Sequence, residues 1–259
     1  MPYIDIGANL TNHSYKNNLI EVLEDANKWY VEKIVITGTS LKNIKEAKEL
    51  CHAYKKYNLY YTSGIHPHNA KELNKSNFEI IEKFSKDEKC IAIGECGLDY
   101  DRMFSSKEDQ LYWFEEQIKI SIKYNKPLFL HERDAFNDFY NILEKYKGKI
   151  KGVVHCFTGN KYQMNKYLEL GMYIGITGWI CDDRRNKDLL NALQTLDKKY
   201  LDKIMIETDC PFLSPVKEDR LNVPSYIYYV LLRLSKELKI PEKQLENILY
   251  TNTIKFFNL

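Results

Sequence analysis

Short runs of β-branched and apolar residues alternate with longer segments of helical period along this chain, and that alternation is what most constrains the fold. Eight runs read as strands: Tyr3–Ala8, Lys33–Thr37, Leu59–Ile65, Cys90–Gly94, Pro127–His131, Gly152–His155, Met172–Ile176 and Lys203–Glu207. Between them lie amphipathic stretches such as "NLIEVLEDANKW", "LKNIKEAKELCHAYKKY" and "SKEDQLYWFEEQIKISIKY", with apolar residues every three to four positions. Alternating strands and helices imply βα units and a parallel sheet. Eight units in 259 residues predict an α/β fold of the closed (β/α)8 TIM-barrel type, which typically takes about 250 residues, in preference to an open doubly wound sheet. The tail predicts two extra C-terminal helices, in "PSYIYYVLLRLSKEL" and "PEKQLENILYTNTIKFF", each with proline near its first turn. They are expected to cover the outside of the barrel. With no linker, low-complexity stretch or composition break, residues 1–259 read as a single domain.

The formal net charge of +2 lacks the strongly basic signature of a dedicated nucleic-acid binder. Of 38 cations only six are arginine, and Arg102, Arg133, Arg184, Arg185 and Arg220 fall in or near segments that follow strands. A planar guanidinium suits phosphate better than an ammonium does. No apolar run approaches the roughly 18 residues of a membrane span, and no signal-peptide pattern opens the chain. The six cysteines form no C-x-x-C pair, which predicts reduced core thiols in a cytoplasmic protein with no membrane association.

Metal-capable side chains coincide with the predicted strand ends. Asp5 lies in the first strand and His66 follows the third. Glu95 follows the fourth, His131 and His155 close the fifth and sixth, and Asp209 follows the eighth. In a barrel these C-terminal ends meet in one pocket, where barrel enzymes keep their active sites. His13 and His52 fall in a loop and a helix with no partner visible in the sequence. A dry cluster of acids and imidazoles is costly without a cation, whereas a divalent ion makes it favourable. Carboxylate and imidazole ligands suit Mg²⁺, Mn²⁺ or Zn²⁺. Such a centre activates water, and Asp209 is placed to accept its proton, so metal-assisted hydrolysis is the expected chemistry.

At these residues the chain resembles the TatD family of metal-dependent deoxyribonucleases, within the amidohydrolase-like superfamily. The resemblance rests on "DIGANLT", "ITGTSL", "GIHPH", "AIGECGLDY", "PLFLHERDAF", "HCFTG", "YIGITGWICDDRR" and "IETDCPFLSP". It implies that Glu95, His131 and His155 hold the catalytic metal, Mg²⁺ foremost. Asp209 would complete the site and handle the proton, His66 would face the substrate phosphate, and Glu207 would support the ligands from behind, with Asp99 either doing the same or serving as a turn residue. It further implies 3′-5′ cleavage of DNA, at single strands or duplex ends; on that substrate the loop residues Arg133, Arg184 and Arg185 are expected on phosphates, and Trp179 either under a base or packed in its loop. Where many superfamily members carry Asp-x-His-x-His, this chain has Asp5, Gly7 and Asn9. Asn9 is the weaker donor. One firm metal and at most one labile one are therefore expected, with Asp5 pointing into the pocket as a direct or water-bridged ligand.

Two other readings share some of these features. An amidohydrolase-like enzyme for a small amide, ester or lactone would use the same activated water, but the bridging lysine of dimetal relatives is missing, with Glu95 in its place. A non-catalytic nucleic-acid-binding barrel should have lost ligands, whereas Glu95, His131, His155 and Asp209 are all present.

Overall fold

The computed structural model describes residues 2–216 and 221–259, so Arg220 lies outside the described residues. Eight parallel strands pair in sequence order: β1 Tyr3–Ala8, β2 Val31–Ile36, β3 Leu59–Ser63, β4 Cys90–Asp99, β5 Leu128–Arg133, β6 Gly152–Val154, β7 Tyr173–Ile176 and β8 Ile204–Ile206. The ring closes just past β8: Ala8 bridges Cys210, Asn9 N–H donates to Cys210 O, and Asp209 N–H donates to Gly7 O. This is the expected TIM barrel.

The connecting helices are α1 Leu19–Lys28, α2 Leu41–Ala53, α3 Lys75–Ser85, α4 Lys107–Tyr124, α5 Phe136–Lys145, α6 Lys161–Glu169 and α7 Lys187–Gln194. Their starts follow from local chemistry. Ser40 and Ser106 cap α2 and α4, while Asn74 with Asn77 and Asn160 with Gln163 form capping boxes on α3 and α6. Of the two tail helices, α8 Ile227–Leu238 completes the eighth βα unit, so only α9 Glu242–Phe257 is surplus to the barrel. It also does more than cover the outside. Phe256 and Phe257 from its last turn join Ile4, Ile6, Ala92, Phe129, Val153, Tyr173 and Met205 in one buried cluster. Burying each such side chain contributes about 1.5–3 kcal/mol. Among the described residues no helix is long and apolar enough to cross a membrane.

Two bulges shape the C-terminal mouth. In β1, Asp5 pairs with Ile34 and Ala8 with Ile36, so Ile6 and Gly7 together oppose Val35. In β4, Gly94 pairs with Phe129 and Cys96 with Leu130, so Glu95 is the extra residue. β4 therefore continues five residues past its expected end, and Glu95 lies inside the strand rather than after it. Bulges re-aim side chains, and both of these adjoin the site.

Candidate metal centre

A cavity of about 650 Å³ opens at the C-terminal ends of the strands, and Asn9, His66, Glu95, His131, His155 and Asp209 are among its walls. The strand ends deliver these residues from sequence positions up to 200 apart. Glu95 sits at the centre, nearly buried. Its Oε1 lies 2.8 Å from His155 Nε2, 2.9 Å from His131 Nδ1 and 3.3 Å from His66 Nε2. His66 Nε2 is also 3.3 Å from His131 Nδ1. Asp209, in the left-handed region at φ 52°, accepts a 2.9 Å bond on Oδ1 from Asn9 Nδ2. Non-glycine residues held there cost about 1–3 kcal/mol and cluster at functional sites.

A layer of acids orients the imidazoles. Asp99 Oδ2 lies 3.1 Å from His131 Nε2 and 2.8 Å from His68 Nε2, while its Oδ1 accepts from the N–H groups of Asp101 and Arg102. It thus both supports an imidazole and closes a turn. Glu207 is fully buried, accepts from Cys156 N–H on Oε1, and points Oε2 at His155 Nδ1 across 3.5 Å. Gly7 and Gly175 make room for it, since a Cβ at either would come within 2.4 or 2.6 Å of its carboxylate oxygens. That explains glycine at the strand-one position where other barrels place histidine.

The charges interlock. Burial pushes the Glu95 carboxyl up, but His155, His66 and His131 outweigh it and hold it well below the carboxylate range. Burial opposes the charged form of His155 and His131 as well, yet Glu95 with Glu207 raises the first and Asp99 with Glu95 raises the second. For His66 burial wins, lowering it to about 4. Burial, together with the negative Glu95 and Glu207, raises Asp209 to about 7 against the pull of His155 and Asn9.

A divalent cation fits these donors. Nitrogen or oxygen atoms of His66, Glu95 and His131 all lie within 4.8 Å of one another, and His155 Nε2 lies 2.8 Å from the same Glu95 oxygen. Donors about 2.0–2.1 Å from an ion stand about 3.3 Å apart in a tetrahedron and about 2.9 Å in an octahedron, close to the separations of 2.8–3.3 Å above. The facing Nδ1 of His155 and Oε2 of Glu207 are both buried without a hydrogen-bond partner, a polar pair that a charge change on the ring would engage.

Several residues singled out in the sequence have partners in the structure other than those expected. Asp5 turns away from the cavity: Oδ1 accepts from the N–H groups of Gly7 and Thr208, and Oδ2 from the Thr208 hydroxyl. The β1 bulge causes this, because the extra residue breaks the two-residue alternation that would have carried Asp5 inward along with Gly7 and Asn9. The arginines stay on local acids. Arg133 pairs with Asp101, and both Arg184 and Arg185 pair with Asp182. Among the described residues the only Lys or Arg lining the cavity is Lys71. Trp179 is likewise engaged, with the Arg185 guanidinium 3.9 Å over its ring. His52, finally, has a partner in Asp87 at 3.2 Å. His68 went unnoticed in the sequence although it is the second histidine of "GIHPH"; a 3₁₀ turn over Pro67–Glu72 brings it to Asp99.

Residues 4–258 match the family described as TatD related DNase. The chain is 36% identical over 261 residues to the 3′-5′ ssDNA/RNA exonuclease TatD of Citrobacter rodentium, covering 98% of this chain and 97% of that one. It is 36% identical over 237 residues to the Escherichia coli protein of the same name, covering 89% of each. Among solved structures, a TatD family hydrolase from Entamoeba histolytica superposes with TM-score 0.90 at 29% identity, covering 99% of this chain and 98% of that one. The Escherichia coli TatD homolog YjjV does so with TM-score 0.91 at 25% identity and the same coverage. Sequence, fold and the arrangement at the barrel mouth agree, and the chain belongs to the TatD-related DNase family.

Proposed function

We propose that the protein is a divalent-metal-dependent nuclease that hydrolyses phosphodiester bonds from the 3′ end of single-stranded DNA or RNA. The observation that carries this reading is the convergence of His66, His131 and His155 on one oxygen of Glu95, in a cavity that also holds Asp209. The name of the relatives at 36% identity, 3′-5′ ssDNA/RNA exonuclease, supports the substrate, the direction and the strandedness.

Glu95, His131, His155 and Asp209 would hold the ion, with His66 beside them. Mg²⁺ is expected to serve at cellular abundance, while the imidazoles favour tighter binding of Mn²⁺ or Zn²⁺. A bound divalent ion makes water nucleophilic near neutral pH and offsets the charge that builds on a phosphate under attack. Asp209, in the same cavity, would accept the proton of the attacking water. Asn9 fixes its orientation through Oδ1. Asp99 and Glu207 aim the rings of His131 and His155. Lys71 offers the cavity a cation for phosphate. The six cysteines are all unpaired, which supports a cytoplasmic setting.

The test is digestion of 3′- and 5′-end-labelled single and double strands in Mg²⁺, Mn²⁺ and Zn²⁺, with metal stoichiometry measured alongside. Stepwise shortening from the 3′ end, its loss in His131→Ala, and one tightly bound ion per chain are expected. Full activity in His131→Ala removes the metal mechanism, and two equally tight ions remove the single firm site.

A further inference from the structure

Of the eleven phenylalanines in the chain, nine are buried or half-buried; only Phe104 and Phe212 are exposed, by 54% and 53%. Both line the cavity that holds Glu95 and Asp209. A phenylalanine has no polar atom to account for its place in water. Two of them at one cavity, and nowhere else, point to a ligand with flat apolar faces.

Their backbones are fixed while their rings stay about half exposed. Phe104 lies between β4 and α4, next to buried Ser105, whose hydroxyl donates to His68 O and accepts from Lys71 N–H, and whose carbonyl accepts from Gln110 Nε2. The Phe104 ring stands edge-to-face against His68 at 4.9 Å. Phe212 follows Asp209 by three residues. Its N–H donates to Asp209 O and its carbonyl accepts from Nδ2 of buried Asn222. Phe104 stands on the loop after β4 and Phe212 on the loop after β8, four strands apart in an eight-stranded ring, and both line the cavity that holds the metal-capable cluster. The Trp179 ring is covered by Arg185 and leaves this role vacant.

We propose that Phe104 and Phe212 are stacking platforms for the unpaired nucleobases on either side of the scissile phosphate. This rests on the nuclease reading above and deepens it. A base can lie on either ring only after leaving its own stack, so the pair selects frayed ends and single strands over intact duplex. Stacking accepts any base, so the enzyme reads strandedness with little sequence preference.

The test pairs Phe104→Ala, Phe212→Ala and the Trp and Leu replacements at each position with two oligodeoxynucleotides, one normal and one lacking bases beside the scissile bond. Each alanine variant should raise KM on the normal strand by about 10- to 100-fold and leave KM on the base-free strand unchanged. Trp should restore binding and Leu should not. Equal losses on both strands, or rescue by Leu, overturn the proposal. A second readout needs no turnover. With 2-aminopurine at the 3′ end, wild type should quench fluorescence in EDTA at concentrations where anisotropy shows it bound, and the alanine variants should not. Quenching without cleavage by wild type in any metal refutes the nuclease reading and leaves the platforms standing. Cleavage with neither quenching nor a KM effect does the reverse.

Discussion

Replacing Asp5 by asparagine separates a structural carboxylate from a metal ligand. Asp5 is fully buried, and burial raises its carboxyl from 3.8 to about 7 despite the bonds it accepts from Gly7 and Thr208. With the folded pKa above the unfolded one, the native state binds more protons between those values. The stability this group contributes is complete below about pH 4 and is lost as pH rises through about 7. Three units correspond to about 4 kcal/mol in full, of which roughly 2–3 kcal/mol falls between about pH 5 and about pH 8. Asparagine keeps the shape and cannot ionise. Its Oδ1 can accept from the same two backbone N–H groups, and its Nδ2 can donate to Thr208 Oγ1, which already accepts from Cys210 N–H. The stability of Asp5→Asn relative to wild type should therefore climb by about 2–3 kcal/mol across that range. Urea unfolding of the metal-free proteins at several pH values measures it. A difference flat to within about 1 kcal/mol would refute the dry, protonated carboxyl. Metal affinity, read by titration, should stay within about threefold of wild type, and a loss of about tenfold or more would return Asp5 to the metal.

Glu207→Gln keeps the volume behind His155 but removes the charge that faces its Nδ1; metal affinity should fall about 10- to 100-fold in competition with a fluorescent chelator, and an unchanged affinity would show that Glu207 only fills space. Gly7→Ala drives a methyl to within 2.4 Å of Glu207 Oε2 and 2.9 Å of Phe129 Cζ. Overpacking of this kind costs about 1–3 kcal/mol and should lower Tm by roughly 2–10 °C in a thermal melt; a Tm equal to wild type would mean that the mouth of the barrel is loosely packed.

The architecture was legible because every βα unit repeats one pattern, and because all eight deposit their C-terminal ends at one mouth. Locating Glu95, His131, His155 and Asp209 near strand ends was therefore enough to bring them together. Contacts that depend on loop paths were hidden. His68 meets Asp99 across 31 residues, and nothing in either residue's neighbourhood announces the other. The arginines divide: Asp182 stands only two and three residues before Arg184 and Arg185, so that pairing was legible in the local charge pattern, whereas Arg133 at the end of β5 meets Asp101 just past β4.

The bulges set the deeper limit, since alternation fixes a strand's faces only while its register runs unbroken. In β4 the unpaired residue is Glu95 itself, and the bulge delivers that carboxylate to the imidazoles. In β1 the extra residue comes after Asp5, so the acid stays with Thr208 while Gly7 and Asn9 face Glu207 and Asp209. One device thus puts one acid into the centre and keeps another out of it. The vacancy left by Asp5 does not empty the strand-one side: Gly7 yields its space to Glu207 behind His155, and Asn9 holds Asp209. Strand one acts on the metal centre through the side chains it positions, which is why two residues that look like lost ligands still have defined places in the site.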